Sequence, residues 1–400
     1  MTTLTTIFLI LFLLGSGLLL YVYIGYPLII VALARLSRKP VQKNAEYLPT
    51  VTLVIPAHNE EIVIEKKLEN ALSLDYPRER LQIIVCDDTS SDRTVEIVKR
   101  FASRGIELSE GLTRSGKVGG LNRALSLATG EIYVITDADI TLSPNSLREL
   151  AANFADKSVG CVVAQTRMMS SAEHETSESG GLYWRYEALI RQNESDLHST
   201  VAATGHLQGI RRDIMQPIPE NVILDDFYLA MMTSRAGYRV ISDPKSIVWE
   251  RPTSSIGDDV NRRRRLTAGR YQMLFMSGAY FPKLPALLRF QVVSHKFLRL
   301  GIPHFMILAL LSNLLLAFTL SGMSALMRVA VLAALAAQTV FYLMALAGKL
   351  LSGREGKKSK LVKLFTLPYF LCATNFASIA GLLWYFSGQH TVLWQQAKRD

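Results

Sequence analysis

Two aspartates separated by one alanine, Asp137 and Asp139, are the residues of this chain best suited to chemistry. They directly follow the apolar, β-prone residues 133–135, which predict a buried strand. Ligands of open α/β sheets bind at the carboxyl ends of strands, and Mg²⁺ is typically held by one or two carboxylates plus substrate phosphates. The pair therefore indicates a divalent-cation site, although a lone pair of this kind also occurs as an ordinary acidic turn.

A second acidic pair, Asp87 and Asp88, follows the predicted strand at residues 81–85. Because both acidic pairs come directly after strands, we expect them at the same edge of the sheet, where a ligand would bind. A helix cap is the alternative role for Asp88, since aspartate is a preferred capping residue.

Lys117 lies in a glycine-rich stretch, residues 116–125, that begins as a loop and becomes a predicted helix. A flexible ammonium and the free N–H groups of a helix start both suit an anion, and a plain surface lysine is the alternative. Asp225 and Asp226 open another predicted helix. A carboxylate at that position can act as a general base or favour the helix dipole, and the two roles are compatible.

Strands and helices alternate through the middle of the chain, which predicts an α/β fold with a doubly wound, mostly parallel sheet. The predicted strands are residues 51–56, 81–85, 131–136, 159–165 and 238–241, and the predicted helices are residues 64–74, 94–101, 116–125 in their later part, 147–154, 183–193 and 224–236. Residues 170–181 are polar and predict a mobile loop, and residues 204–209 predict a turn of small residues.

The composition favours a membrane-associated protein. Of the 400 residues 49% are hydrophobic, most densely at the two ends, and the net charge of +10 suggests contact with anionic lipid or phosphate. The signature motifs of nucleic-acid-binding proteins are not apparent, which argues against a nucleic-acid partner. Cys86, Cys161 and Cys372 are too scattered for a metal cluster or a disulfide framework, so a reducing compartment is expected for the middle of the chain.

Residues 7–33 form an uncharged apolar run that exceeds the roughly 20 residues needed to cross a bilayer. Arg35, Arg38 and Lys39 follow it, so the positive-inside rule places the N-terminus outside and the next segment in the cytoplasm. A cleaved signal peptide is disfavoured because the run is too long and no basic region precedes it.

The C-terminal part predicts more membrane contact. Residues 280–300 mix apolar and basic residues as interfacial helices do, and residues 302–320 and 326–347 are candidate spans. Residues 364–386, interrupted by proline and asparagine, predict either a span or a re-entrant hairpin, and the basic tail at 398–399 favours the hairpin. The chain thus divides into a membrane helix at 1–36, a cytoplasmic domain at 37–279 and an interfacial and membrane region at 280–400.

Five motifs, in this order, resemble those of the family 2 glycosyltransferases, in particular the membrane-embedded branch of cellulose, hyaluronan and chitin synthases. They are V-I-P-A-H-N-E at 54–60, C-D-D-T-S-S-D at 86–92, G-K-V-G-G-L-N at 116–122, D-A-D at 137–139, and L-D-D at 224–226 where the family has T-E-D. The resemblance covers roughly residues 51–272 and implies a GT-A type fold.

The resemblance also implies a role for each matching residue in an inverting, metal-dependent transfer from a nucleotide-diphosphate sugar, with UDP expected. It makes Asp226 the catalytic base and Asp139, with Asp137, the ligand of Mg²⁺ or Mn²⁺. The implied nucleotide-sugar site is Pro56, Asn59, Glu60, Asp87, Asp88, Lys117 and Asp137, and the implied acceptor or diphosphate site is Asp225, Arg262, Arg265 and Gln272.

Two departures from the family pattern affect the expected backbone of the loop at 86–92 and the expected product, respectively. Thr89 stands where the D-D-G-S-x-D motif has glycine, and Leu266 stands where the Q-x-x-R-W motif has the tryptophan of the acceptor site. The missing tryptophan makes a processive, cellulose-like reaction doubtful. The acceptor is expected to be a glycan or a lipid-linked sugar, and the alternatives are single addition to a membrane lipid and a non-catalytic regulatory or transport subunit.

Overall fold

The computed structural model describes residues 2–169, 177–251, 256–276, 278, 283–351 and 360–388. Its centre is an eight-stranded sheet in the order β3-β2-β1-β4-β7-β6-β8-β5. The strands are β1 Val51–Ala57, β2 Leu81–Asp87, β3 Ile106–Glu110, β4 Ile132–Ile135, β5 Thr141–Leu142, β6 Val159–Met168, β7 Gln208–Arg211 and β8 Arg239–Glu250.

Seven helices accompany the sheet in this part of the structure: α2 Ile64–Leu72, α3 Thr94–Arg100, α4 Gly116–Leu127, α5 Ser146–Ala152, α6 Ser177–Leu197, α7 Asp225–Arg235 and α8 Ile256–Phe275. The terminal regions contribute α1 Thr3–Leu36, α9 Ala286–Leu300, α10 Ile302–Ala317, α11 Ala325–Leu351 and α12 Lys360–Phe386. Short 3₁₀ turns lie at Arg78–Arg80, Ala102–Arg104, Asn153–Ala155 and Arg212–Ile214.

The central strands β1, β2 and β4 are nearly continuous apolar runs because helices cover both of their faces. Along β1, Leu53 packs into the core on one face of the sheet and Val54 into the core on the other. In β4, Val134 and Tyr133 divide in the same way, and all four residues of the strand are buried.

The sheet is mixed but dominated by parallel pairs, as predicted. β3, β2, β1 and β4 run parallel to one another, and β6 pairs parallel with β8, while β7 lies antiparallel between β4 and β6. β1, β2 and β4 therefore end at the same edge, and both acidic pairs follow at that edge, as the sequence predicts.

Three predicted boundaries are wrong. The turn predicted at 204–209 runs into strand β7, and residues 177–181 of the predicted mobile loop belong to helix α6. Residues 170–176 of that loop lie outside the described residues. β8 continues for 12 residues, well past the predicted end at 241, because its register with β6 shifts at Asp243 and the strand resumes after the exposed Pro244 and Lys245.

Among the residues that the structure describes, three helices are long and apolar enough to cross a membrane: Thr3–Leu36, Ala325–Leu351 and Leu364–Phe386. α1 is continuous through a π-helical turn at Tyr21–Gly25. α10 reaches the length of a span only together with α9, to which it lies at 60°.

The hairpin favoured at residues 364–386 is wrong, because α12 is one unbroken helix with Pro368 inside it. Proline is tolerated in membrane helices because neighbouring groups satisfy the freed backbone carbonyl. The basic tail at 398–399, which favoured the hairpin, lies outside the described residues.

Candidate active site

The carboxyl end of β4 and the first turns of α4 and α7 meet at one point, which the Lys117 side chain occupies. Its Nζ lies 2.8 Å from Asp137 Oδ1 and 3.1 Å from Asp225 Oδ2. The start of α4 is held in place by Asp88, whose carboxylate accepts from the N–H groups of Ser115 and Gly116 at 2.7 and 2.8 Å. Lys117 therefore directly contacts Asp137 and Asp225, and the three residues come from three separate motifs.

Gly205 completes this cluster and accounts for the small-residue turn. A Cβ at Gly205 would lie 3.1 Å from Lys117 Nζ, 3.7 Å from Asp137 Oδ2 and 3.9 Å from Asp226 Cβ. The glycine therefore leaves open the space between the D-x-D carboxylate and the acid predicted to be the base. A larger side chain would have to displace one of these charged groups.

The charges in the cluster shift one another. Burial opposes the charge of Lys117, but Asp137, Asp225 and Asp226 outweigh it and raise the pKa of the ammonium above its usual value. Burial would raise the pKa of Asp137, but Lys117 and then His206 hold it below the usual value. The pKa of Asp226 is raised, first by burial and then by the neighbouring Asp225. The Asp226 carboxylate is therefore more basic than that of Asp137.

The loops after β1 and β2 interlock at the neighbouring strand ends. The Asn59 N–H donates to Ser90 Oγ at 2.9 Å, and the Ser91 N–H donates to Asn59 Oδ1 at 2.7 Å. Asn59 and Thr89 both adopt left-handed backbone conformations, with φ of 56° and 58°. Thr89 thus adopts a left-handed conformation of the kind that glycine takes up without steric cost.

The two aspartates after β2 have different environments. Asp88 is occupied in capping α4, as described above. Asp87 Oδ2 accepts from the Ser90 N–H at 3.0 Å, whereas its Oδ1 is buried and accepts no hydrogen bond from any described residue. An unpaired buried carboxylate oxygen is costly, and a donor N–H of a ligand would satisfy it.

Pro56 and Glu60 are buried at the end of β1 and in the loop that follows it. Pro56 is buried within β1, in register with Cys86 of β2. Glu60 is 4% exposed, and its N–H donates to Thr94 Oγ1 at 2.7 Å.

Helix α8 brings Arg262 to the D-x-D edge. Its Nη1 donates to Glu250 Oε1 at 2.6 Å, and its Nη2 lies 3.4 Å from His206 Nε2. Burial opposes its charge, but Glu250 and then the D-x-D carboxylates raise its pKa above the usual value. Two arginines of the same run point to the final membrane helix instead, with Arg263 over the Phe370 ring and Arg264 over the Trp384 ring.

Arg265 and Gln272 make no such contact with the D-x-D edge. Arg265 is half-buried and forms no hydrogen bond or ion pair within the part of the chain that the structure describes. Gln272 is 2% exposed, and its amide accepts from the Ile223 N–H at 3.0 Å and donates to the Asn221 carbonyl at 2.6 Å. Gln272 thus holds the loop that leads into Asp225 and Asp226.

The acidic pair at the end of β4 fits a divalent ion that a substrate helps to hold. Asp137 and Asp139 flank the buried Ala138, and both are half-buried. Among the described residues no three acidic, histidine or cysteine side chains cluster closely enough to enclose an ion alone. Two carboxylates completed by phosphate oxygens are a common setting for Mg²⁺, so the residues present suit an ion that arrives with a diphosphate.

Sequence reasoning missed Lys67, Glu250 and His206. Glu250 and His206 lie outside the five motifs of the sequence. Lys67 had a detectable signal, because it falls on the apolar face of α2 between Ile64 and Ala71. Burial lowers its pKa to about 7, against the raising effect of Asp139 and Asp137.

Residues 52–218 match the family model described as glycosyl transferase family 2. The chain is 27% identical over 265 residues to "Probable glycosyltransferase YdaM" of Bacillus subtilis, an alignment that covers 61% of this chain and 60% of the relative. It is 30% identical over 190 residues to beta-monoglucosyldiacylglycerol synthase of Trichormus variabilis, covering 46% and 40%. It is 23% identical over 251 residues to poly-beta-1,6-N-acetyl-D-glucosamine synthase of Staphylococcus aureus, covering 60% and 58%.

Among solved structures, the chain resembles a mannosyltransferase of Pyrobaculum calidifontis in complex with GDP-Man and Mn²⁺. The TM-score is 0.70 at 24% identity, over 95% of this chain and 100% of that one, a likeness that concerns the fold. The sequence alignments reach 40% to 60% of the curated relatives' own length. These comparisons support a family 2 glycosyltransferase region at residues 52–218, carried on a GT-A type fold.

Proposed function

We propose that this protein is an inverting glycosyltransferase that moves a sugar from a nucleoside-diphosphate sugar to a hydroxyl group of an acceptor at a membrane. The observation that carries the proposal is the convergence of Lys117, Asp137, Asp225 and Asp226 around Gly205. A cation, a potential metal ligand and a half-buried carboxylate of raised pKa there lie around the backbone of Gly205 at the strand ends. This is the arrangement that transfer with a diphosphate leaving group requires.

The donor nucleotide would lie over the loops after β1 and β2. The unpaired Oδ1 of Asp87 would accept from a base N–H, which uracil and guanine both offer. We expect UDP, because the motif at 86–92 resembles the uracil-binding motif of the family. Lys117 and Arg262 would lie beside the diphosphate, since both already border the D-x-D carboxylates.

Asp139 and Asp137 would hold Mg²⁺ or Mn²⁺ together with the diphosphate oxygens. The ion would supply charge neutralisation to the leaving diphosphate. The protein's share is to keep the two carboxylates at the strand end.

Asp226 would act as the general base. The acceptor hydroxyl oxygen forms a bond to the anomeric carbon while the bond from that carbon to the diphosphate oxygen breaks. The nucleoside diphosphate leaves with the bonding electrons, and the hydroxyl proton passes to the Asp226 carboxylate. Attack on the face opposite the leaving group inverts the configuration. The raised pKa of Asp226 suits a group that must take up a proton.

The acceptor is proposed to be a glycan or a lipid-linked sugar, reached from a cytoplasmic domain at residues 37–279. The candidate spans and the basic residues after α1 support this orientation. By their names, one relative makes a glycolipid and another a polysaccharide, so single addition to a membrane lipid is the second candidate. Leu266 in place of the acceptor-site tryptophan favours that alternative.

A donor panel tests the proposal. Purified protein in membranes is given UDP-glucose, UDP-N-acetylglucosamine and GDP-mannose, and release of nucleoside diphosphate is measured with Mn²⁺ and with EDTA. We expect metal-dependent release from one donor class, and gel analysis of the product then separates polymer from single addition. No release from any donor, with membrane lipids present as acceptor, would favour a non-catalytic subunit.

A further inference from the structure

Lys67 is a buried lysine that the proposed reaction does not use. It lies in α2 on the side of the sheet edge away from the Lys117 cluster, and it is 3% exposed. Its ammonium donates to Thr136 Oγ1 at 2.9 Å and to the Ile140 carbonyl at 2.6 Å. These two residues bracket the D-x-D motif, so one side chain grips the turn on both sides of its carboxylates.

The same helix holds the next stretch of the chain one turn further on. Asn70 Nδ2 donates to the Leu142 carbonyl at 2.9 Å, and Asn70 Oδ1 accepts from the Leu142 N–H at 2.8 Å. α2 therefore supports residues 136–142 as a unit. α2 contacts this segment through Lys67 and through Asn70. Of the two side chains, Lys67 is the basic one, and it stands at a buried position that an apolar residue could have filled.

Thr136 passes this support to the other side of the site. Its hydroxyl accepts from Lys67 and donates to the His206 carbonyl at 2.8 Å, and its N–H donates to the Val54 carbonyl at 3.0 Å. Gly205, the residue before His206, borders Lys117 and Asp226. A single buried hydroxyl thus ties the D-x-D turn to the turn that faces the proposed base.

A buried ammonium is costly unless hydrogen bonds compensate it, and an apolar residue of similar length would avoid that cost. We propose that Lys67 is a positioning residue, which acts through Thr136 and Ile140 to fix the distance between the metal-binding carboxylates and the Gly205–His206 turn. This inference rests on the proposed function. It assigns Lys67 no contact with substrate.

Four proteins form a double-mutant cycle: wild type, Lys67→Met, Thr136→Val and the double variant. Lys66→Met, an exposed lysine of the same helix, is the matched control. We expect each single variant to lower kcat by about 10- to 100-fold, the cost of misplacing catalytic groups by an ångström or so. The loss in the double variant should be smaller than the product of the two single losses, because the Lys67–Thr136 hydrogen bond is broken in both single variants. Thr136→Ser should restore most of the rate.

A binding measurement separates positioning from a general loss of structure. Mn²⁺ is titrated into each protein together with UDP or GDP, whichever nucleotide the wild type releases, and free Mn²⁺ is followed by its paramagnetic resonance signal. Lys67→Met should weaken Mn²⁺ binding by about tenfold or more, as loss of outer-shell support does in metal sites. Lys66→Met should match the wild type. If Lys67→Met does not fold, the comparison of Thr136→Val with Thr136→Ser carries the test.

Three results would overturn the inference: kcat within about twofold of wild type in folded Lys67→Met and Thr136→Val, independent effects in the double variant, or tighter Mn²⁺ binding in Lys67→Met. Tighter binding would mean that Lys67 only offsets the charge of the carboxylates. A wild-type protein that neither transfers sugar nor binds Mn²⁺ with a nucleotide would instead overturn the proposed function, and this inference with it.

Discussion

At the scale of single residues, neighbouring acids of this site do different work. The Asp88 carboxylate accepts hydrogen bonds from the N–H groups at the start of α4, while the neighbouring Asp87 has one buried oxygen without a hydrogen bond from the described residues. Asp225 pairs with Lys117, while Asp226 has a raised pKa. In each pair one carboxylate organises the protein, and the other is the one to which we assign a contact with substrate. The two aspartates of each pair are adjacent in the sequence, and the sequence does not indicate which of them has which role.

Thr89 adopts a backbone conformation that a β-branched residue disfavours, at φ 58°. The left-handed region costs a non-glycine residue about 1–2 kcal/mol, and glycine avoids that cost. We therefore expect Thr89→Gly to raise the melting temperature by about 2–4 °C, after allowance for the lost bond from Thr89 Oγ1 to the Asp88 carbonyl. Thermal unfolding in detergent measures this. Ser91→Gly, in the same loop at negative φ, should give no gain, and a lower melting temperature for Thr89→Gly would contradict the strain argument.

The metal assignment makes its own prediction at Asp139. Asp139→Ala should remove Mn²⁺-dependent nucleotide binding and sugar transfer, while the half-buried position lets the protein fold. Calorimetric titration of the nucleotide with Mn²⁺ and with EDTA checks it. Transfer within about tenfold of wild type, or full transfer in EDTA, would show that Asp139 holds no essential ion.

At the scale of elements, α8 distributes its arginines between the site and the membrane region. Arg262 reaches Glu250 and His206, while Arg263 and Arg264 lie over aromatic rings of α12. The helix thus connects the D-x-D edge to a candidate span. A run of four arginines suggests a single basic patch when only the sequence is considered. In a helix, successive side chains extend in different directions, so the arginines have different partners.

Arg262→Gln should therefore raise the KM for the donor by about tenfold, the typical effect of losing a charged hydrogen-bonding group. Arg265→Gln, three residues along the same helix and without a hydrogen bond or ion pair to the described residues, is the matched control and should stay within about twofold. Initial rates over a range of donor concentrations give both values. Equal losses in the two variants would return Arg265 to the diphosphate site.

The parallel centre of the sheet could be predicted because local signals agree there. β1, β2 and β4 are apolar runs ended by polar loops, so strand type, burial and the position of the acids follow from one pattern. β7 and the second half of β8 were missed for different reasons. β7 is only four residues long and begins in a glycine-rich turn. In β8, Pro244 predicts the end of a strand, but the strand continues past it.

The site followed the same division. Residues that lie in motifs could be named as candidates from the sequence, whereas Lys67 and His206 contact Thr136 across 69 and 70 positions of sequence. Tertiary contacts of that length leave no periodic trace. A lysine on an apolar helix face was the one available sign.

At the scale of the whole molecule, buried polar groups join α1, the first candidate span, to the proposed catalytic region. Tyr26 of α1 donates to Glu194 of α6, whose carboxylate also meets the buried His295 of α9 at 2.7 Å. The second Glu194 oxygen accepts from Thr200 Oγ1 at 2.8 Å. The proposed catalytic region is thus fixed to α1 and α9 rather than tethered by a loose linker.

This attachment and the basic residues after α1 predict one orientation in the membrane. Leu112 is 98% exposed on the catalytic region, and Cys86 and Cys161 are buried. Leu112→Cys should react with an impermeant maleimide only after cells are opened, because the positive-inside rule places this region in the cytoplasm. The unsubstituted chain is the control for Cys372. Labelling in intact cells would place the region outside and contradict the proposed access to nucleotide sugars.

The central claim is that Asp226 deprotonates the acceptor in a glycosyl transfer, and Asp226→Asn tests it most directly. Transfer of a labelled sugar and binding of the donor are measured on the same preparation, with Asp225→Asn as the control. Because a base acts on the acceptor and not on the donor, we predict that Asp226→Asn keeps donor affinity while transfer falls by about 10²- to 10⁴-fold. Asparagine caps a helix about as well as aspartate, so a capping role alone would leave both unchanged. Undiminished transfer by Asp226→Asn, or loss in Asp225→Asn alone, would contradict the account.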